Sequence, residues 1–142
     1  MDRVYKTTVR KIIDGDSLKL DVDLGFGLTN SGDDGRGINL RVAGVDTEEV
    51  RTRDLIQKKF GLKAKAFVAD FVPVGSTAIL KTIERDKYGR WLGDIKVGRK
   101  WLSKELLRNN LGVVYNGENK AEVKKAHLLN REILREEGKV DF

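Results

Sequence analysis

The chain has 142 residues, a formal net charge of +6, no cysteine and a single histidine, His127. Cysteine zinc sites, thiol nucleophiles, disulfide scaffolds and two-histidine mechanisms are excluded, so catalysis must rest on carboxylates, Arg, Lys, Tyr or hydroxyls. The length suits one domain spanning residues 1–142, and the positive balance favours an anionic partner, nucleic acid before membrane.

In chain order, residues 4–13 form a strand, and Leu18, Leu20, Val22 and Leu24 then alternate with polar residues at the period of a half-buried strand. Asp14-Gly15 between them is a hairpin signal. Residues 25–37, rich in Gly, Asn, Ser and Asp, are expected to be a long flexible loop, and 38–45 resume the β pattern, completing a three-stranded meander. A charged stretch covers 51–59, after which Leu62, Ala66, Phe67, Ala69 and Phe71 have the spacing of a helix packed on a sheet, stopped by Pro73 and Gly75. Two more strands, 77–83 and 91–97, flank a turn at 86–90. A short helix over 101–110 ends at Gly112, and Asn119 with Glu122 has the capping-box spacing for a last helix reaching about Gly138. The expected fold is α+β, mostly β: a five-stranded Greek-key barrel of the oligonucleotide-binding (OB) kind, with one helix after the third strand and two C-terminal helices. No apolar run is long enough to span a membrane. The start Met-Asp-Arg-Val-Tyr lacks the apolar core of a secretory signal, which leaves the compartment open between intracellular and secreted after trimming.

Three polar clusters follow apolar β-like runs: Asp14-Gly15-Asp16, the segment Arg41 to Glu49, and Asp86-Lys87-Tyr88-Gly89-Arg90. They supply carboxylates for a hard cation, two arginines whose planar forks match phosphate oxygens, and a further glutamate for proton transfer, a set suited to phosphodiester hydrolysis. Each also has a plain alternative. Asp14 suits the hairpin turn, and an isolated Asp16/Asp46 pair is more often structural than metal-binding. Arg41 can be an outward-facing strand residue, Arg90 an ordinary turn residue, and Glu48-Glu49 the acidic start of an exposed loop.

The order and intervals of these clusters resemble the staphylococcal nuclease family, whose hallmarks run Asp-Gly-Asp-Thr, then Arg-Leu-x-x-(Ile/Val)-Asp-Thr-Pro-Glu, then Asp-x-Tyr-Gly-Arg. The similarity extends from about Val9 into the last helix, with Ser17 for the family threonine and Glu48 for the proline. The resemblance implies a nuclease acting on DNA and RNA, single strands preferred, with Ca²⁺ as cofactor and 3′-phosphate products. It places Asp16, Asp46 and the Thr47 carbonyl on the metal, Arg41 and Arg90 on the scissile phosphate, and Glu49 on the attacking water. Lys87, Tyr88 and Tyr115 would contact a terminal phosphate and flank the base, while Glu48 remains a loop charge.

Trp91 and Trp101 are expected in the core, and His127 at a surface or core edge on a last helix whose mixed charges form a solvated face. A monomer without an obligate protein partner is expected. The competing function is a non-catalytic OB-fold module for single-stranded nucleic acid, although such modules usually lose part of the active set. A protein-interaction scaffold would lack salt-dependent affinity for DNA.

Overall fold

The computed structural model describes residues 3–142; Met1 and Asp2, the first residues of the stretch considered as a leader, lie outside them. Strands β1 (Arg3–Asp14), β2 (Ser17–Gly25), β4 (Ile38–Val42), β6 (Thr77–Arg85) and β7 (Trp91–Val97) close into a mixed barrel in the order β1-β6-β7-β4-β2, with β2 returning to β1. Every seam is antiparallel except β4–β7, where Leu40 lies opposite Trp91. Strict alternation sends Leu18, Leu20 and Val22 of β2, Leu40 and Val42 of β4, Leu80 of β6 and Ile95 of β7 into one core. This is the expected five-stranded OB-type barrel, with α1 (Leu55–Phe71) after its third strand and α2 (Leu102–Arg108) and α3 (Lys120–Glu136) at the end.

Several local expectations are corrected. The Gly-rich segment expected as a flexible loop contains strand β3 (Leu28–Asn30), which pairs back on β2 across a Phe26-Gly27 turn with both residues at positive φ. The stretch expected to continue β4 to residue 45 breaks at Ala43-Gly44, where Gly44 takes a φ of 77°, and resumes as β5 (Val45–Thr47), paired with β9 (Gly112–Val114). Helix α1 begins inside the charged stretch because Asp54 caps it, accepting from the Ile56 and Gln57 amides at 3.0 and 3.1 Å. Its buried face is Phe60, Gly61, Ala64 and Val68, with Phe67 and Phe71 half-buried beside it, while Leu62, Ala66 and Ala69 face outward. Trp101 sits in the two-residue strand β8 (Lys100–Trp101) rather than in α2. Both tryptophans are half-buried rather than core, Trp91 beneath Arg85 and Trp101 beneath Lys96.

Helix α2 has no acceptor on its own N-cap, and Asp94 of β7 reaches across to take its Ser103 amide at 3.1 Å together with the Ser103 hydroxyl. Helix α3 is capped by Asn119, which accepts from the Glu122 amide at 2.9 Å. Among the described residues no helix is long and apolar enough to cross a membrane.

Candidate active site

The strand ends bring the three clusters to one side of the barrel. Asp16 closes the β1–β2 hairpin and is only 5% exposed. Gly15 beside it has no left-handed φ, and its use is space: a Cβ there would stand 2.9 Å from the Ala64 Cβ and 3.0 Å from the Thr47 Cγ2. Asp14 pairs with Ser17 across the turn, as the Asp-Gly pair suggests, and its side chain does more: Oδ1 accepts from the Val50 amide at 2.9 Å and ties the hairpin to the segment after β5.

Alternation in β4 buries Leu40 and Val42 and turns Arg41 outward, over Ser17 of β2. Its guanidinium pairs with Asp16 and, at 3.1 Å, with Asp46 of β5. Burial alone would lower the pKa of Arg41, but the charges and hydrogen bonds of Asp16 and Asp46 outweigh it and raise the value above the ordinary one. Asp16 is further held by the Thr47 amide and the Ser17 hydroxyl, each at 3.0 Å. The Thr47 hydroxyl is buried without a hydrogen-bond partner among the described residues.

The third cluster is a self-contained turn. Asp86 Oδ1 accepts from the Tyr88 and Arg90 amides at 2.8 and 2.9 Å, its Oδ2 takes the Arg90 Nε at 2.7 Å, and Gly89 supplies a φ of 81°. Desolvation opposes ionisation of Asp86, yet the Arg90 and Tyr88 hydrogen bonds prevail and lower its pKa. The Arg90 guanidinium lies 5.6 Å from the Tyr88 ring centre, and that of Arg41 lies 5.9 Å from the ring of Tyr115.

Asp16, Arg41, Asp46, Thr47, Glu49, Arg90 and Tyr115 line one cleft of about 610 Å³. Lys87 and Tyr88 are outside it. They border an adjoining groove of about 460 Å³ that shares Arg41, Arg90 and Tyr115 with the cleft.

Three further residues of the site are not apparent from sequence. His127, expected at a surface or core edge, is 7% exposed, and its Nε2 lies 2.7 Å from Asp46 Oδ2; a carboxylate only accepts, so Nε2 carries the hydrogen. Glu48, expected as a loop charge, is 7% exposed and gripped by Arg131 of α3 through Nε at 2.7 Å and Nη2 at 2.6 Å. The hydrogen bonds that Arg131 donates to Glu48 outweigh desolvation and raise the Arg131 pKa. The inner face of α3 is therefore part of the cleft wall, while Glu122, Lys125, Glu132 and Glu136 are exposed, as expected of a solvated face. The only advance signal was the spacing of His127 and Arg131, four apart on a helix.

No group of three or more Asp, Glu or His side chains among the described residues is disposed to hold a metal ion unaided. The Asp16 and Asp46 carboxylates, with the Thr47 carbonyl that the family resemblance adds, would offer only oxygen ligands, the chemistry of a hard cation completed by solvent or substrate oxygens. Arg41 and such a cation would compete for the same carboxylate oxygens.

Residues 39–140 match the family model described as staphylococcal nuclease homologue. A curated relative, "Probable endonuclease LCL3" of Yarrowia lipolytica (strain CLIB 122 / E 150), is 33% identical over 89 residues, covering 60% of this chain and 39% of the relative. The match thus spans less than half of that relative. The Asp14-Gly15-Asp16 cluster precedes the matched segment and joins the other two through the barrel's hairpin geometry. With the family match extending over most of its length, the chain belongs to the staphylococcal nuclease family.

Proposed function

We propose that the cleft hydrolyses phosphodiester bonds of DNA and RNA, preferring single strands, depends on Ca²⁺, and leaves 3′-phosphate ends. Family membership and the endonuclease name of the relative support a nuclease. The observation that carries the reading is the convergence of two arginines, two aspartates and an exposed glutamate from four separate segments in one open cleft.

Arg41 and Arg90 grip the scissile phosphate and stabilise the extra charge of the pentacoordinate transition state. Glu49 takes the proton of the attacking water as its oxygen bonds to phosphorus; the bond to the 5′ oxygen breaks, and the departing alkoxide takes a proton from solvent. Asp16, Asp46 and the Thr47 carbonyl would hold the cation, which, when bound, supplies positive charge at the phosphate and acidifies water. Tyr88 and Tyr115 bracket the adjoining groove, where an unstacked base fits beside a phosphate held by Lys87. A paired base would have to leave its stack to enter, hence the single-strand preference.

A fluorogenic single-stranded oligonucleotide, assayed with Ca²⁺ and with chelator, tests this. Cleavage should require Ca²⁺, and Glu49→Gln and Arg90→Ala should each lower kcat by roughly 10²–10³-fold with the fold retained. Folded protein that binds the strand but shows no cleavage under Ca²⁺ is instead the non-catalytic binding module.

A further inference from the structure

The Glu49 carboxylate has no hydrogen-bond or ionic partner among the described residues, so the backbone that carries it is what fixes the point from which the side chain reaches into the cleft. That backbone is held on both sides. After it, the Val50 amide is bound by Asp14 at 2.9 Å. Before it, Glu48 is clamped to Arg131 by two hydrogen bonds at 2.7 and 2.6 Å.

The clamp follows from matched spacings. Asp46 and Glu48, two apart on an extended segment, project to one side about 6.6 Å from each other. His127 and Arg131, four apart on α3, rise about 6 Å along one helix face. Each helix residue therefore meets one acidic residue of this segment, His127 on Asp46 of β5 at 2.7 Å and Arg131 on Glu48 just past its end. Asn130 adds a bond to the Gly112 carbonyl at 3.0 Å on β9, the partner of β5, and Leu134, 2% exposed, roots the helix in the core.

We propose that Arg131 is a positioning residue for Glu49, acting from α3 through the buried carboxylate of Glu48. The kinetic part rests on the reading of Glu49 as the group that takes the proton from water. Glu48 stands where the resembling motif has a proline, and the clamp restrains the same backbone from outside that proline would restrain from within.

The test compares Arg131→Met, Arg131→Lys and the double variant Glu48→Gln/Arg131→Met with the parent protein. On a short single-stranded oligonucleotide, Arg131→Met is expected to lower kcat by roughly 10–100-fold while KM stays within about twofold. Arg131→Lys keeps the cation without the two-pronged grip and should recover part of the rate. The double variant should stay slow, because removing the stranded Glu48 charge does not restore the aim. Amide exchange at Val50 reports the same backbone without catalysis, and its protection should fall selectively against amides of β1 and β6. A raised KM with a flattened salt dependence would make Arg131 a phosphate contact and overturn the proposal. So would a folded Arg131→Met protein with unchanged kcat and unchanged Val50 exchange. If the parent protein cleaves nothing, the nuclease reading falls while Val50 exchange still decides whether Arg131 fixes the segment.

Discussion

Each acidic residue around Arg41 is held by more than one donor. Asp16 has Arg41, Ser17 and the Thr47 amide; Asp46 has Arg41 on one oxygen and His127 on the other. A carboxylate bound on both oxygens cannot rotate about its Cβ–Cγ bond without breaking a contact, so its remaining lone pairs keep a fixed direction. His127→Leu should accordingly lower kcat by ~10–100-fold, and His127→Gln, whose amide can donate from a similar reach, should recover much of it. Initial rates beside thermal melts check this, and equal rates for the Leu variant and the parent would remove His127 from the site. Beyond its spacing from Arg131, nothing in the sequence announced this residue. A lone histidine on a charged helix has no visible partner until the fold brings a segment about 80 positions away against it. Glu48 was hidden for the same reason, since a doublet of glutamates looks solvated until Arg131 compensates its burial.

At the scale of elements, α1 is pressed against the backbone that carries Glu49. Gly61 lies on the buried face of that helix, and a Cβ there would collide with the Glu49 carbonyl oxygen and stand 2.9 Å from the Val50 nitrogen. Glycine to alanine inside a helix ordinarily stabilises by about 1 kcal/mol. The sign should reverse here, with Gly61→Ala destabilising by about 1–3 kcal/mol through overpacking and lowering kcat as Glu49 shifts. Denaturant melts and rates read together test it; a more stable, fully active variant would show that the contact yields freely. The elements themselves were legible where one local rule dominated: alternation gave β2, and Asn119 with Glu122 gave the start of α3. The start and inward face of α1 were not, because Asp54 sits in a charged run, Phe60 directly follows it, and the inward positions include a glycine with no hydrophobic signal. The break at Ala43-Gly44 was also hidden within an apolar pattern that continues across it.

At the scale of the molecule, the barrel type was legible because five strand-like runs with one intervening helix suit few closed arrangements, whereas the pairing of β5 with β9 and the seating of α3 depend on contacts far apart in sequence. The parallel β4–β7 seam joins Leu40 to Trp91 across all of α1 and β6. Arg41 follows one of these residues and Arg90 precedes the other, so the seam is what brings the two arginines to the same cleft. In folding, such a pairing must await closure of the long intervening loop, and a topology rich in these pairings belongs to the slower regime of milliseconds to seconds. The β1–β2 hairpin can form early, but a chain with only local structure has Arg41 and Arg90 apart. During refolding from denaturant, oligonucleotide cleavage should therefore return with the slowest structural phase, never ahead of it. Synchronised fluorescence and activity traces would reveal any earlier return, and on the proposed reading barrel closure is the step before which the chain has no assembled cleft with which to cut.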